Sequence, residues 1–165
     1  MIRRWRGRSA GFAILILLTL PLVALAASRG DRTLVVRGPD DDVLAVVELP
    51  DGTFRLSYRN SIYRSVAEES YRVSDSGQIV LETLAADELA VLEEYYAIDE
   101  PARRTSSGAR AWVADPARPV VLDELIVAAT DLGRRTLLVR GEEPLELWQL
   151  VDDSSPSVRL EVGPP

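Results

Sequence analysis

Three chemically versatile residue types are missing from this chain of 165 residues, which contains no cysteine, no histidine and no lysine. The absence of cysteine excludes disulfide bonds, thiolate metal ligands, a cysteine nucleophile and a lipid-modified cysteine. The absence of histidine excludes imidazole bases and histidine-based zinc sites, and the absence of lysine excludes Schiff bases. Carboxylates, hydroxyls and guanidinium groups remain for catalysis, so we expect a protein that is not an enzyme and has no cofactor or bound metal.

Charge is unevenly distributed along the chain. Residues 1–28 contain four arginines and no acidic residue, whereas the rest of the chain contains 15 arginines and 26 acidic residues. An acidic body repels nucleic-acid phosphates and anionic lipid surfaces, so binding to nucleic acids is not expected. The length is suited to one domain that follows a targeting segment.

Residues 1–28 have the pattern of a secretory signal peptide, in which an arginine cluster precedes an apolar run. Pro21 interrupts this run, and small residues then predict cleavage after Ala26. The alternative is an uncleaved membrane anchor at residues 9–27, which is near the short limit for a helix that crosses a membrane. In both cases we expect residues 29–165 to form an exported, periplasmic or otherwise extracytoplasmic domain, either secreted or anchored.

From Thr33 onward, short apolar runs alternate with turn residues, a pattern typical of antiparallel β-sandwiches and barrels. We therefore predict a mainly β fold, an antiparallel sandwich or barrel-like domain with one short helix. The predicted strands cover residues 33–37, 43–49, 53–60, 66–73, 78–84, 111–114, 120–129, 136–140, 145–151 and 158–162.

The one helix is predicted within residues 85–98. Leu89, Leu92 and Tyr96 have helical spacing there, and Asp87 is a candidate cap for the first turn. Apolar residues also alternate along the same segment, which leaves a strand as the alternative.

A polar loop with the composition of a mobile flap is predicted at residues 99–110. Arg103 and Arg104 in this loop are secondary binding candidates, because guanidinium groups can hold a carboxylate ligand bidentately. The alternative is that the same arginines pair with acidic residues of the protein.

Glu69 is the most informative residue in the centre of the chain. Strand alternation places it on the less polar face, where an unpaired carboxylate would be strongly unfavourable. Asn60 and Ser61 are its nearest candidate partners, and Arg59 or Arg64 are further ones if the intervening turn directs them inward. We therefore predict that Glu69 is buried and held by these neighbours.

The predicted binding site is a small polar cluster on the inward face of two strands joined by a kinked turn. It consists of Tyr58, Asn60, Ser61, Glu69 and Tyr71. The alternative is a structural clamp, in which Glu69 satisfies the turn and holds no ligand. Glu68, on the opposite face, is expected to be solvated.

A family pattern is carried by Tyr58, Ser61, Glu69 and Tyr71, with Ile62 where valine is usual. On these residues the chain resembles the bacterial domain-of-unknown-function family 1850, small exported proteins often encoded beside TAXI-type TRAP transporters. The resemblance implies an accessory role near such a tripartite transporter, with transporter subunits or a solute-binding protein as partners.

The chain departs from this family at several positions. Asn60 stands where the family has histidine, Val66 where it has proline, and the family's later glycine-alanine-glycine-leucine-proline segment has no clear counterpart. An asparagine amide can form hydrogen bonds but cannot transfer protons at physiological pH. The departure therefore favours a binding function over an enzymatic one.

Three functional hypotheses follow. The leading one is a non-enzymatic extracytoplasmic accessory or binding protein, which takes a partner protein or a small molecule. The second is a carboxylate-based hydrolase that uses Glu69 with Glu68, Glu93 or Glu94, although strand alternation separates the first pair. The third is a purely structural envelope protein.

Overall fold

The computed structural model describes residues 32–106 and 108–163, so the predicted signal peptide or anchor lies outside the described residues. Within these ranges the protein is mainly β, with antiparallel sheets and one α-helix, which confirms the predicted fold class at this level. The sandwich or barrel-like form stays a prediction. None of the helices in these ranges is long and apolar enough to span a membrane.

Twelve strands and one α-helix make up the described part of the chain. They are β1 (Arg32–Arg37), β2 (Val43–Leu49), β3 (Thr53–Arg59), β4 (Val66–Val73), β5 (Ile79–Ala86), α1 (Leu89–Tyr95), β6 (Arg103–Arg104), β7 (Trp112–Ala114), β8 (Val120–Leu122), β9 (Glu124–Ala128), β10 (Thr136–Leu138), β11 (Leu145–Glu146) and β12 (Ser157–Val162), with a 3-10 turn at Leu147–Gln149. The predicted bounds of β2 and β4 agree with the structure, and those of β1, β3 and β12 differ by one residue.

The strands form two antiparallel sheets. The smaller sheet has the order β2-β1-β12-β9, and the larger has the order β11-β10-β3-β4-β5-β7-β6, with β8 also paired to β5. Strands β3 and β4 are therefore interior strands of the larger sheet. Their register places Leu56 opposite Glu69 and Phe54 opposite Tyr71.

The main hydrophobic cluster contains buried residues of both sheets. Leu34 and Leu160 come from the smaller sheet, and Phe54 and Leu56 come from the larger one. The ring of Phe54 stacks on that of Tyr71 with 5.1 Å between centroids. Because burying a large apolar side chain contributes roughly 1.5 to 3 kcal/mol, this cluster holds the two sheets together.

A second, smaller cluster fixes α1 against the larger sheet. Its buried members are Ala67, Leu84, Ala86, Val91, Leu92 and Ala114. Tyr58 of β3 and Tyr96, which directly follows α1, pack against this cluster. The helix therefore brings Tyr96 to the end of the central strands.

The helix prediction was right in place but wrong in extent. Ala86 belongs to β5, where it lies opposite Ala67 and is fully buried, so the strand continues into the predicted helix. Asp87 does not cap α1, since the cap residue is Glu88 and makes no side-chain cap hydrogen bond. The carboxylate of Asp87 instead pairs with Arg110 at 3.3 Å.

Two segments predicted as single strands are not continuous strands in the structure. The segment 120–129 is divided between β8, in the larger sheet, and β9, in the smaller one, with Asp123 between them. The carboxylate of Asp123 accepts a hydrogen bond from the side chain of Gln78 at 3.0 Å, which fixes this transition. The segment 145–151 is strand only at β11 and then forms the 3-10 turn.

Candidate functional site

The candidate site is a pocket of about 410 Å³ at one end of β3, between elements of both sheets and the end of α1. Such a volume falls within the range of roughly 300 to 1,000 Å³ that is usual for small-molecule sites. The lining residues are Tyr58, Arg59, Asn60, Ser61, Glu69, Tyr95, Tyr96, Ala128, Thr130, Leu132, Gly133 and Arg135.

Glu69 lies at the buried end of this site, with 8% of its surface exposed. Its Oε1 accepts a hydrogen bond from the Tyr96 hydroxyl at 2.6 Å, and its Oε2 accepts one from the Tyr71 hydroxyl at 3.0 Å. An Nη atom of Arg135 lies 3.7 Å from Oε2. Both carboxylate oxygens therefore have partners, as a buried acid requires.

The prediction that Asn60 and Ser61 hold Glu69 is wrong. Oδ1 of Asn60 instead accepts hydrogen bonds from the backbone N–H groups of Ile62, at 3.0 Å, and Tyr63, at 2.9 Å. An asparagine side chain commonly satisfies backbone groups two or three residues ahead, and here it closes the turn between β3 and β4. Ser61 is exposed at the pocket wall.

The two arginines proposed as further partners of Glu69 do not reach it either. The described residues give no hydrogen bond or ion pair between Glu69 and Arg59 or Arg64. Arg64 is exposed and has a left-handed backbone conformation with a φ of 53°, which reverses the chain before β4. The arginine that approaches Glu69 is Arg135, from a distant segment.

Four of the five residues of the predicted cluster line the pocket, namely Tyr58, Asn60, Ser61 and Glu69. The fifth, Tyr71, reaches the site through its hydrogen bond to Glu69. The structure thus brings the predicted residues together, with a different pattern of contacts. Whether they bind a ligand stays a prediction.

The Tyr58 and Tyr96 hydroxyls continue the network, with their oxygens 2.6 Å apart. Tyr96 donates its one hydroxyl proton to Glu69, so Tyr58 must be the donor to Tyr96. In this hydrogen-bonded series, the proton of Tyr58 is therefore directed to Tyr96 and that of Tyr96 to Glu69. The Tyr58 oxygen is left able to accept a hydrogen bond, since none of the described groups donates to it.

Burial keeps these hydroxyls protonated. It is the main cause that raises the pKa of Tyr58, of Tyr71 and of Tyr96 above the ordinary value, and the nearby charge of Glu69 raises each pKa further. Arg135 opposes part of the increase in the pKa of Tyr58 and Tyr71. The three tyrosines consequently remain hydrogen-bond donors well into the alkaline range.

Arg135 occupies the same pocket, with 18% of its side chain exposed. Its guanidinium lies over the ring of Tyr58, 4.7 Å from the centroid, a cation–π geometry that orients its plane. Its Nε is buried without a hydrogen-bond partner. The segment before it is fixed by the bond from Arg59 N–H to the Gly133 carbonyl, at 2.7 Å.

The secondary candidates lie elsewhere. Arg103 and Arg104 form the exposed strand β6, outside the pocket lining, so the predicted loop is partly a paired strand. Arg103 pairs with Asp115 at 3.1 Å, which is the alternative foreseen for these arginines.

Glu68 is not solvated, contrary to prediction. It is buried and lies 3.2 Å from Arg55 and 3.9 Å from Arg110. Arg55 comes from the adjacent strand β3 and Arg110 from the segment before β7, so side chains of two neighbouring segments cover Glu68. Across residues 32–106 and 108–163, no group of three or more acidic side chains is placed to hold a metal ion.

Comparisons of the chain with protein-family models, with curated proteins and with solved structures find no match. The resemblance to family 1850 therefore stays a prediction. The function of the pocket has to be inferred from the groups that line it.

Proposed function

We propose that this protein is a non-enzymatic extracytoplasmic binding protein that holds a small solute in the pocket beside Glu69 and Arg135. The observation that carries the proposal is the preorganised network at the buried end of the pocket. There Glu69 is fixed by two tyrosine hydroxyls and Arg135 is stacked on Tyr58. Polar groups held in place before a ligand arrives reduce the entropy lost on binding.

The cellular role that fits this proposal is that of an accessory to a tripartite TRAP-type transporter. Support comes from the resemblance of residues 58–71 to family 1850 and from the signal-like pattern of residues 1–28. In this proposal the exported domain is a β-sandwich built from the two sheets. It associates with transporter subunits or with a solute-binding protein.

The hydrolase alternative has less support. Glycosidase-type catalysis uses two carboxyl groups roughly 5 to 9.5 Å apart in one cleft. Glu69 is the sole acid among the residues that line the pocket. Glu68 is held by arginines on the other face of β4, and Glu94 accepts a hydrogen bond from Tyr63 at 2.7 Å.

Thermal unfolding in the presence of a solute panel tests the binding proposal. A ligand that binds only the folded protein raises the midpoint, so organic acids, neutral isosteres and amines are compared with buffer alone. We expect a concentration-dependent rise with at least one class. No rise with any class would favour the structural envelope protein instead.

A matched pair of variants locates the effect in the pocket. Ala128 lines the pocket and Ile126 does not, yet both are exposed on the same strand, two residues apart. Ala128→Trp should abolish the rise in midpoint, whereas Ile126→Trp should preserve it. Co-purification with transporter subunits from a native membrane preparation tests the accessory role, and an unattached monomer there would contradict it.

A further inference from the structure

The geometry points to a carboxylate-bearing solute with an apolar body as the ligand of this pocket, an inference that rests on the proposed binding function. The ligand's carboxylate accepts hydrogen bonds from Arg135. Its apolar body lies against Leu132 and Tyr95 at the mouth. The charge of the lining residues, the hydrogen-bonding capacity of Arg135 and the exposed apolar side chains at the mouth each support this assignment.

Arg135 has unused hydrogen-bonding capacity, and of the two arginines that line the pocket it is the one beside Glu69. Among the described residues, its guanidinium makes no hydrogen bond, since its distance of 3.7 Å to Glu69 is an ion pair and its Nε has no partner. The buried Nε without a partner is unfavourable, whereas the Nη atoms are not buried in this way and are the donors that a ligand can reach. A carboxylate matches the planar edge of a guanidinium and can bind it through two parallel hydrogen bonds.

Glu69, by contrast, has little to offer a cationic ligand. Both of its oxygens already accept tyrosine hydroxyls, and Arg135 lies within ion-pair distance of Oε2. Two arginines, Arg59 and Arg135, line the pocket against this single acid. An incoming cation would meet the positive side of the ion pair, whereas an anion would meet unsatisfied donors.

Tyr58 makes Arg135 a selective receptor for a planar anion. Its ring fixes the plane of the guanidinium, so little side-chain entropy is lost when the ligand binds. Its hydroxyl proton is directed to Tyr96, so this hydroxyl does not compete with Arg135 as a donor. Of these two stacked side chains, Arg135 is thus the one that offers donors to the ligand.

The apolar body is inferred from exposed side chains around the mouth. Leu132 is 57% exposed and Tyr95 is 50% exposed, and both line the pocket. Ile62 and Tyr63 are also exposed, in the turn that begins beside the pocket. The hydroxyl of Tyr63 donates to Glu94, which ties this turn to the end of α1. A solute with an apolar portion removes part of this surface from water.

Calorimetric titration at neutral pH with four small probes tests the inference. Benzoate carries both a carboxylate and an apolar ring, benzamide is its neutral isostere, benzylamine is cationic, and acetate lacks the ring. We expect benzoate to bind roughly tenfold or more tightly than benzamide and benzylamine, since a hydrogen-bonded charge contributes about that factor. It should also bind roughly tenfold or more tightly than acetate, because its ring buries apolar surface at the mouth. Inorganic phosphate is the control for general anion binding and should bind more weakly than benzoate.

Variants of the arginine assign the effect to Arg135. Arg135→Gln should weaken benzoate binding roughly tenfold or more, whereas Arg104→Gln, an exposed arginine outside the pocket, should leave it unchanged. Arg135→Gln leaves the carboxylate of Glu69 without its ion pair, which could disturb folding. The double variant Glu69→Gln/Arg135→Gln removes this unpaired charge and serves as a control for that effect. It should lose benzoate binding to the same degree.

The outcomes separate the inference from the proposed function. Tighter binding of benzylamine or phosphate than of benzoate would overturn the carboxylate assignment and leave a solute-binding pocket in place. Unchanged benzoate affinity in both Arg135 variants would overturn the assigned residue. The absence of binding by every probe, together with no thermal shift across the wider solute panel, would overturn the binding function itself.

Discussion

The hydroxyl of Tyr96 donates a hydrogen bond of 2.6 Å to Oε1 of Glu69, across 27 residues of sequence. This contact connects the residue after α1 to an interior strand of the larger sheet. It also orients the hydroxyl of Tyr58, which donates to the oxygen of Tyr96. The hydrogen bonds at the buried end of the pocket thus depend on Glu69, which accepts from both Tyr96 and Tyr71.

Removal of the Glu69 carboxylate should destabilise the protein substantially. In Glu69→Ala, the buried Tyr71 hydroxyl, the partly buried Tyr96 hydroxyl and Arg135 lose their partner, for which we expect a loss of about 2 to 4 kcal/mol in the free energy of unfolding. Urea unfolding followed by tryptophan fluorescence measures this loss. Glu94→Ala is the matched control, because Glu94 also accepts a tyrosine hydroxyl but is exposed, and its loss should be much smaller.

Asn60 should behave as a turn residue rather than as a partner of Glu69. Asn60→Ala removes the acceptor of two backbone N–H groups, so we expect a loss of about 1 to 2 kcal/mol in the free energy of unfolding. Asn60→Asp retains an acceptor oxygen at the same position and should restore most of the stability. If Asn60→Ala were as stable as the parent protein in urea unfolding, the turn assignment would be wrong.

Stability should fall at alkaline pH because of the buried Tyr71 and the partly buried Tyr96. Tyr71 and Tyr96 have pKa values raised above 10.0 in the folded protein, so near and above that pH the unfolded chain releases protons that the folded chain retains. The stability contribution is fully present below the unfolded pKa and is lost above it, by about 1.4 kcal/mol per pH unit for each such tyrosine.

Tyrosinate absorbance and unfolding curves at increasing pH measure this effect. The chain contains no lysine or cysteine, whose titration would otherwise overlap with that of tyrosine. Tyr96→Phe should reduce the dependence of the free energy of unfolding on pH by about 1.4 kcal/mol per pH unit, the contribution of one tyrosine proton. An identical slope in this variant would show that Tyr96 ionises equally in the folded and unfolded states.

The central strands were predictable because their pattern is local. The period of two along β4 places Glu69 on the same face as the buried residues Ala67 and Tyr71, which the structure confirms. The partners of Glu69 were harder to predict. Tyr71 lies two residues away on the same face. Tyr96 approaches only when α1 packs against β5 and β7, and Arg135 only when β10 pairs with β3.

Two predictions made from neighbouring residues alone were wrong, namely that Asn60 holds Glu69 and that Glu68 is solvated. Asn60 is next to the site in sequence, but its side chain satisfies the nearer backbone groups of its own turn, as short polar side chains often do. Glu68 follows the outward face of β4, but Arg55 and Arg110 cover it. Arginine side chains are long enough to bury a residue that strand alternation alone would leave in solvent.

The central claim is that Arg135 receives the carboxylate of a solute in this pocket. The most direct test is a nitrogen-15 NMR spectrum of the arginine side-chain N–H groups during titration with benzoate, with the Arg135 signal assigned by its loss in Arg135→Gln. We expect the Nε–H resonance of Arg135 to shift with increasing benzoate while that of Arg104 stays in place. A stationary Arg135 resonance at benzoate concentrations that saturate the calorimetric signal would contradict the account.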